Sequence, residues 1–514
     1  MLGFRQIPMF SWVGLLSIVC VGILSLIYIL HTFFRNKSSS LQLPPGPFGL
    51  PIIGHVHHML GDLPHHNLHK LSQKYGSIMQ LRLGHVPTVV VSSPEAAELF
   101  LKTHDTNFAS RPQNLGGDTG GMGSAQYGPY WRNLRKLCSI HLLSMSKVDS
   151  FKSLRKDKVR DLVRNINKAS SAESAEGGGV VDMSNQVGLV IENITYGMIF
   201  GVDYINKGYN IKECIRDAEI LAGAFNLADY ITFLRPFDLQ GLTKRTKDVI
   251  KNLDDMLEKI IVEHEHDMIG QQKDHRDFID VMLSLMKPEK DNEEKLDRGT
   301  VKALTLDMLA GAMDTTITAI DWVLAELVRH PQVMKKIQEE LVNEVGLNRM
   351  VEESDLVKLA YMEMVVKETL RLHPVAPLLI PHESIEDISI KGYHIAKRSR
   401  IIVNVWSVGR DPNAWSNNPE EFYPERFMNT DIDVRGHDLQ LIPFGAGRRK
   451  CPGIELGLRQ VQFVLAQLVH CFNWELPDGM SPRDLDMKEK FGVTVRRAIP
   501  LLLVPTYRLH VNNI

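Results

Sequence analysis

The ten residues that most constrain this chain are Phe444–Gly453, which read FGAGRRKCPG. Metal ions bind the thiolate form of cysteine, not the thiol. Three consecutive basic residues precede Cys451, and a helix is predicted to begin directly after the stretch; both features are expected to lower the pKa of the Cys451 thiol. The glycines let the backbone turn tightly and approach a large planar group. The stretch therefore predicts a metal-binding cysteine loop, and the alternative is a buried structural cysteine beside a basic turn.

A second stretch places polar side chains inside an apolar helix. An uninterrupted helical pattern runs from Thr300, a candidate N-cap, to Arg329, directly before Pro331. Asp314 and Thr315 fall in its middle, where a buried acid and alcohol are unfavourable unless something uses them. The pair therefore indicates that something in the folded protein uses these two side chains. The alternative is that both side chains bond to the local backbone.

Two charged patterns suggest further polar contacts. Trp131 and Arg135 are four residues apart and share one face of a predicted helix, where an indole N–H and a guanidinium can both reach a carboxylate. Alone, this pattern would also fit an amphipathic surface helix. Glu368 and Arg371 are three apart on another predicted helix, and Arg426 could satisfy the remaining bonds of a buried Glu–Arg pair.

The beginning of the chain has the features of a membrane anchor. Ile7–Leu30 contains no charged residue and is long enough to span a bilayer. Arg35 and Lys37 follow it while only Arg5 precedes it, so the positive-inside rule places the rest of the chain in the cytosol. A cleaved signal peptide is the alternative, although its apolar region would be shorter.

After this segment, Leu43–Pro47 carries three prolines that hold the backbone extended. We therefore predict three units: a membrane anchor over 1–34, a basic flank and proline-rich hinge over 35–54, and one catalytic domain over 55–514. Six histidines open that domain, at positions 55, 57, 58, 65, 66 and 69. Their irregular spacing indicates a solvated turn and helix start rather than a metal site.

Composition excludes other classes of protein. The formal net charge is −2, and no basic stripe interleaved with aromatic residues is present, so nucleic-acid binding is not expected. The five cysteines include no closely spaced pair, which fits neither a disulfide scaffold nor a zinc site. Two β-rich runs, Ile78–Leu83 and Thr88–Val91, predict a hairpin in a minor sheet, and the rest of the chain is mostly helical in pattern.

Taken in order, the anchor and hinge, Trp-x-x-x-Arg, the acid–alcohol helix, Glu-x-x-Arg and the cysteine loop resemble the cytochrome P-450 haem-thiolate monooxygenases. The hinge, Lys367–Pro374 and the cysteine loop look most like plant microsomal members. The resemblance implies a mainly α fold with a small β region and an N-terminal transmembrane helix. It also implies that the protein is a single-pass protein of the endoplasmic reticulum membrane with a cytosolic catalytic domain.

The resemblance also implies roles for particular residues. Cys451 would bind the iron of haem b, Thr315 would hydrogen-bond dioxygen, and Asp314 would relay protons from solvent. A structural network of Glu368, Arg371 and Arg426 would hold the cysteine loop. Ala312 stands where the family usually has a second glycine. The residues expected to bind the cofactor are Cys451, Trp131, Arg135, His382, Arg449, Phe444, Gly447 and Gly453.

The implied reaction inserts one atom of dioxygen into a C–H bond, with electrons from NADPH delivered by NADPH–cytochrome P-450 reductase and cytochrome b5 as a further candidate partner. A non-catalytic haem sensor or carrier, and an isomerase or dehydratase of the same fold, are the rivals; the intact Asp314–Thr315 pair argues against both. Most segments that would line the pocket are aliphatic, which favours a neutral lipophilic substrate, a terpenoid first and a phenylpropanoid or flavonoid second. These segments are the loop before Trp131, Phe225–Phe237, Leu306–Met313, Val375–Ile380 and Gly492–Val495.

Overall fold

A computed structural model describes residues 41–61, 63–113, 120–170, 179–201, 211–270, 276–286, 296–416 and 418–510, with scattered positions between 14 and 26. Most of the predicted anchor, and residues 35–40 of the predicted basic flank, lie outside the described residues. Among the residues that are described, no helix is long and apolar enough to cross a membrane.

Helices dominate the described chain, as the sequence predicts. The α-helices, α1 to α16, are Pro64–Tyr75, Pro94–Glu98, Pro129–Leu137, Met145–Ser150, Lys152–Ser170, Met183–Ile199, Ile211–Gly223, Leu227–Tyr230, Leu242–Gly270, Phe278–Met286, Arg298–Ala312, Asp314–Arg329, Pro331–Glu344, Ala360–Leu372, Val405–Val408 and Ile454–Cys471. Single π-helical turns, Leu99–Thr103 and Cys138–Leu142, extend α2 and α3. Proline is the first residue of α1, α2, α3 and α13, where its missing N–H leaves no helical bond unmade.

The strands form a small β region. Strands β1 to β11 are Ile78–Leu83, Val86–Val91, Val181–Asp182, His382–Glu383, Ile388–Ile390, Tyr393–Ile395, Arg400–Val403, Phe472–Glu475, Glu489–Lys490, Arg496–Arg497 and Leu502–Tyr507. The largest sheet has the order β1-β2-β7-β4, and only its β2–β7 pair is parallel. The predicted hairpin is confirmed as β1 and β2, which pair Ile78 with Val91 and Leu83 with Val86.

The helix α12 lies at the centre of the main hydrophobic core. Nearly all its side chains are buried, including Trp322, Leu324 and Ala325. Such a helix has to be covered on all sides. The helices α6, α14 and α16 pack around it. The first residue of the helix, Asp314, is buried, and Thr315 beside it is partly buried.

The prediction of one uninterrupted helix from Thr300 to Arg329 is wrong. The structure has two helices, α11 and α12, separated at Met313, and Asp297 rather than Thr300 caps the first of them. At the break, the hydroxyl of Thr315 donates to the carbonyl of Gly311 at 2.7 Å. A side chain that bonds to the carbonyl four residues back competes with the helical backbone bond and bends the helix.

Candidate active site

The cysteine loop is closed by short backbone contacts. The amide of Cys451 donates to the carbonyl of Phe444 at 2.9 Å, and Gly453 is the N-cap residue of α16. Gly447 has a φ of +68°, and a Cβ there would lie 1.9 Å from the carbonyl oxygen of Leu101. Only glycine therefore fits at this point of the loop. The loop places the sulfur of Cys451 within reach of the Gly453 amide.

The expectation that basic neighbours lower the pKa of Cys451 is wrong for the free thiol. Burial raises this pKa, and the amide of Gly453 and the charge of Arg135 only partly offset it. Arg448 turns away to Asp105, at 3.2 Å, and Arg449 donates to backbone carbonyls instead of the sulfur. Because a metal cation deprotonates a coordinating thiol outright, a thiolate at Cys451 depends on the metal rather than on these side chains.

Basic side chains are crowded together beside the loop. Burial and repulsion by Arg135 lower the pKa of Arg449 to about 10. Burial and repulsion by Arg449 lower the pKa of Arg111 to about 9. His382, whose ring donates to the carbonyl of Phe108 at 2.8 Å, has its pKa lowered to about 3 by burial and then by Arg111. Like charges packed this closely favour an anionic occupant.

The same cluster of basic side chains has room for the hydrogen bonds of a cofactor that bears carboxylates. Nε of Arg111 is buried and has no hydrogen-bond partner among the described residues. Guanidinium groups bind carboxylates through pairs of N–H donors. This buried donor lies among like charges beside the cysteine loop. A macrocycle bearing carboxylates would supply the hydrogen-bond partner that it lacks. The residues present therefore fit haem b.

The predicted pair Trp131 and Arg135 lies on α3, as expected, and faces this cluster. The indole of Trp131 donates to the carbonyl of Met122 at 3.1 Å and stacks beneath the guanidinium of Arg449, 4.3 Å from its ring centre. Arg135 donates to the carbonyl of Lys450 at 2.8 Å. Helix α3 and the cysteine loop are thus joined directly.

Asp314 is held by two residues near the end of the chain. Its carboxylate accepts a hydrogen bond from the hydroxyl of Thr494 and lies 2.9 Å from Nη2 of Arg496. Asp314 is buried, but the side chain of Arg496 is 53% exposed, so the ion pair links the inside of the domain to solvent.

A second carboxyl group, that of Glu219 on α7, lies beside this ion pair. Its Oε2 is 3.9 Å from Nη2 of Arg496. Burial, and then repulsion by Asp314, raise the pKa of Glu219 to about 7 despite the attraction of Arg496. The group can therefore gain or lose a proton near neutral pH.

Glu368, Arg371 and Arg426 meet as predicted. The carboxylate of Glu368 lies 2.7 Å from Nε of Arg371 and 2.9 Å from Nε of Arg426, and it also accepts from the amide of Tyr423. Both arginines then donate to backbone carbonyls, including that of Glu421. Helix α14 is thus fastened to the segment 409–426.

Several segments expected around the pocket are connected in the structure. The amide of Val495 donates to the carbonyl of Val375 at 2.9 Å. Asp307, inside the predicted segment Leu306–Met313, accepts from the amide of Gly123 at 3.2 Å. A Cβ at Gly121 would lie only 2.4 Å from the Asp307 carboxylate. Asp307 is therefore in direct contact with the loop before Trp131.

Sequence reasoning missed three residues of this site: Arg111, Glu219 and Arg496. It placed Thr494 in the pocket segment Gly492–Val495 but did not predict its bond to Asp314. Thr494 and Arg496 follow Asp314 by about 180 residues, so only the fold brings them to it. Arg111 is a single arginine in Ser-Arg-Pro, and Glu219 is one acid on an amphipathic helix. None of the three missed residues had a local signal that set it apart.

Comparison with known proteins agrees with this geometry. The family model for Cytochrome P450 matches residues 44–502. The chain is 53% identical to Cytochrome P450 CYP736A12 of Panax ginseng, over 91% of this chain and 94% of that protein. It is 41% identical to Flavonoid 3'-monooxygenase of Arabidopsis thaliana, over 97% and 98%, and 40% identical to Germacrene A hydroxylase of Saussurea costus, over 95% and 98%.

Proposed function

The chain belongs to the cytochrome P450 family, and we propose that Cys451 is its haem-binding cysteine. Members use haem b with a cysteine thiolate ligand and obtain electrons from NADPH through a reductase, so the chain is a monooxygenase of this kind. The observation that carries the assignment is the crowd of buried basic groups directly beside the Cys451 loop. These groups would bind the carboxylates of haem b.

Trp131, Arg135, Arg449 and His382 are the residues we propose for this role, and the structure adds Arg111. Phe444, Gly447 and Gly453 would shape the loop rather than bind carboxylates. Glu368, Arg371 and Arg426 would act as a structural network, because their contacts are with one another and with the backbone.

When bound, haem b supplies the activation of dioxygen, so that one oxygen atom enters a C–H bond and the other leaves as water. The residues of the chain would deliver the protons that this requires. Asp314 would take up protons from solvent at its half-exposed ion pair with Arg496, while Thr494 holds its other carboxylate oxygen. The hydroxyl of Thr315, one residue further on α12, would pass them on.

We propose a neutral lipophilic substrate, with a terpenoid favoured. The charged side chains near the candidate pocket are engaged with the protein itself: the cation of Arg496 with Asp314, and Asp307 with the amide of Gly123. An anionic substrate would therefore meet two acids and a cation that is already paired. A flavonoid or other phenylpropanoid is the second candidate, because the similar proteins named above include both a flavonoid monooxygenase and a germacrene A hydroxylase.

We further propose the division into an anchor over 1–34, a hinge over 35–54 and a catalytic domain over 55–514. The uncharged run Ile7–Leu30 and the basic residues after it support this division. The chain would lie in the endoplasmic reticulum membrane with its catalytic domain in the cytosol. NADPH–cytochrome P-450 reductase would be its electron donor, and cytochrome b5 a second one.

The assignment of Cys451 is tested with the reduced carbon-monoxide complex. The full chain, expressed with its reductase, should give the thiolate spectrum, and Cys451→His should lose it while still binding haem. Cys214→Ser, which changes a partly buried cysteine on helix α7, is the matched control. Survival of the thiolate spectrum in Cys451→His would refute the assignment.

The substrate preference is tested with the same preparation. Neutral terpenoids and phenolic compounds are screened side by side for NADPH-dependent oxygen consumption and hydroxylated product. Turnover of terpenoids is expected. Exclusive turnover of a phenolic compound or a charged acid would overturn the preference without affecting the monooxygenase assignment.

A further inference from the structure

Three potential metal ligands meet at a place remote in sequence from the cysteine loop. His65 and His66, in the first turn of α1, each have Nε2 close to the carboxylate of Glu489 in β9. The two nitrogens lie 2.9 Å and 3.0 Å from the same oxygen, Oε2. The prediction that the histidines at the start of the domain are solvated is wrong for His65, which is fully buried, and for His55, which is also buried.

The cluster is held in place by its surroundings. The carbonyl of His65 accepts from the side-chain amide of Asn404 at 2.8 Å. The ring of Trp406 lies 4.3 Å from that of His66, between ring centres. Glu489 is fixed from the other side, because it is paired with Arg497 across the β9–β10 ladder. The three side chains are therefore positioned by packing before any ligand arrives.

The geometry suits a metal because each of the three residues offers a ligand atom, and these atoms all lie within 4.8 Å of one another. Nε2 of His66 is buried and, although it lies 3.0 Å from Oε2 of Glu489, it makes no hydrogen bond to any described residue. Nδ1 of His65 has no hydrogen-bond partner among the described residues, so the ring could carry its proton on Nδ1 and bind a metal through Nε2 without breaking a bond at Nδ1.

We propose that His65, His66 and Glu489 form a binding site for one divalent transition-metal cation of the zinc class. Two imidazoles and one carboxylate are a ligand set that Zn²⁺ uses when a fourth position stays open. Nitrogen ligands disfavour Mg²⁺ and Ca²⁺, which take oxygen ligands. The side chain of His66 is 34% exposed and that of Glu489 11%, which leaves a route from solvent.

A cation here would join the first helix of the domain to the β9–β10 hairpin. That hairpin also carries Thr494 and Arg496, the two residues that hold Asp314. The cation would bind the folded chain and not the unfolded one, so it would raise the unfolding temperature. It would also restrict the hairpin at the edge of the candidate active site.

The test uses the full-length, haem-loaded protein without a histidine tag. Zn²⁺ is titrated by calorimetry, and the unfolding temperature is recorded with and without Zn²⁺. We expect about one Zn²⁺ per chain, and a fall in affinity of at least about tenfold in His66→Asn and in Glu489→Gln. His69→Asn is the matched control, since His69 lies on the same helix but bonds to Ser407 at 2.9 Å; its affinity should match that of the wild type.

Three results would overturn the site: no stoichiometric Zn²⁺ binding by the wild type, unchanged affinity in His66→Asn, or loss of binding in His69→Asn instead. The carbon-monoxide spectrum of each variant reports whether it is folded. His66 is the most exposed of the three ligands, so His66→Asn decides the question alone if Glu489→Gln does not fold.

Discussion

Oδ1 of Asp314 lies 2.9 Å from Nη2 of Arg496, and this ion pair joins the first residue of the central helix α12 to strand β10. The other carboxylate oxygen accepts from Thr494. Because Asp314 is buried and Arg496 is half exposed, the pair connects the interior with solvent. No sequence pattern around Asp314 or Arg496 indicates that the two residues form a pair.

Replacing Arg496 should impair proton delivery without preventing haem binding. General acid–base groups contribute about 10²–10⁴-fold to a rate, and since Arg496→Gln removes only the partner of the acid, we expect product formation to fall by about tenfold. Peroxide released per NADPH should rise. Lys490→Gln changes the residue paired with Arg496 across the ladder and serves as the control. Coupling equal to that of the wild type would count against the role of the ion pair.

The pKa of Glu219 should make the stability of the fold depend on pH. Its pKa is about 7 in the folded state, against an ordinary value of 4.5, so the folded chain binds more protons between these values. Stability should therefore fall as pH rises from about 4.5 to about 7 and stay lower above it. Glu219→Gln cannot ionise and should be more stable than the wild type above pH 7, by about 1–3 kcal/mol.

Unfolding temperatures measured from pH 5 to pH 8 check this expectation. The difference between Glu219→Gln and the wild type should grow with pH. Glu213→Gln, on the same helix but exposed, should show no such trend. A constant difference for Glu219→Gln would mean that the carboxyl group does not titrate in this range.

The features that the sequence predicted well are local. The cysteine loop, the hairpin β1–β2 and the shared helix face of Trp131 and Arg135 each depend on residues a few positions apart. The spacing of Glu368 and Arg371 likewise placed them in contact. Such patterns follow directly from helix and strand periodicity.

Features that depend on side-chain direction or distant contacts were missed. The sequence shows the basic residues before Cys451. It does not show that Arg448 pairs with Asp105, or that Arg449 donates to backbone carbonyls. The helix break at Met313 was missed because it accompanies a hydrogen bond from the hydroxyl of Thr315 to the carbonyl of Gly311. An apolar helical pattern does not reveal such a bond. Arg111 reaches the site from a loop that has no periodicity at all.

Removing the hydroxyl of Thr315 should uncouple oxygen activation from product formation. In the structure this hydroxyl already serves as a donor, to Gly311. Thr315→Ala should bind haem normally but release more peroxide per NADPH, because the proton path loses one group. Thr315→Ser keeps the hydroxyl and should restore most of the coupling. If Thr315→Ser behaves like Thr315→Ala, the hydroxyl is not the group that matters.

Glu368 should be needed for folding around the cofactor rather than for the chemistry. Its carboxylate is fully buried and balances two arginines, so Glu368→Ala would leave buried cations unpaired, at a loss of about 3–5 kcal/mol. Haem content and the unfolding temperature should both drop. Glu363→Gln, on the same helix with its side chain 50% exposed, should change neither. A fully loaded, equally stable Glu368→Ala protein would contradict the structural role.

Charge at the surface beside the cysteine loop should set the rate of reduction. Lys136 is exposed on α3, next to the loop that carries Arg448 and Lys450. An acidic reductase would be steered to this surface, and steering weakens as salt screens the charges. Arg448 is already paired with Asp105, so reversing the charges of Lys136 and Lys450 should have the larger effect.

We expect Lys136→Glu/Lys450→Glu to be reduced at least about tenfold more slowly at low salt, with the difference shrinking at high salt. Lys247→Glu, exposed on α9, is the control; equal rates in all three proteins, or rates insensitive to salt, would exclude docking at this surface.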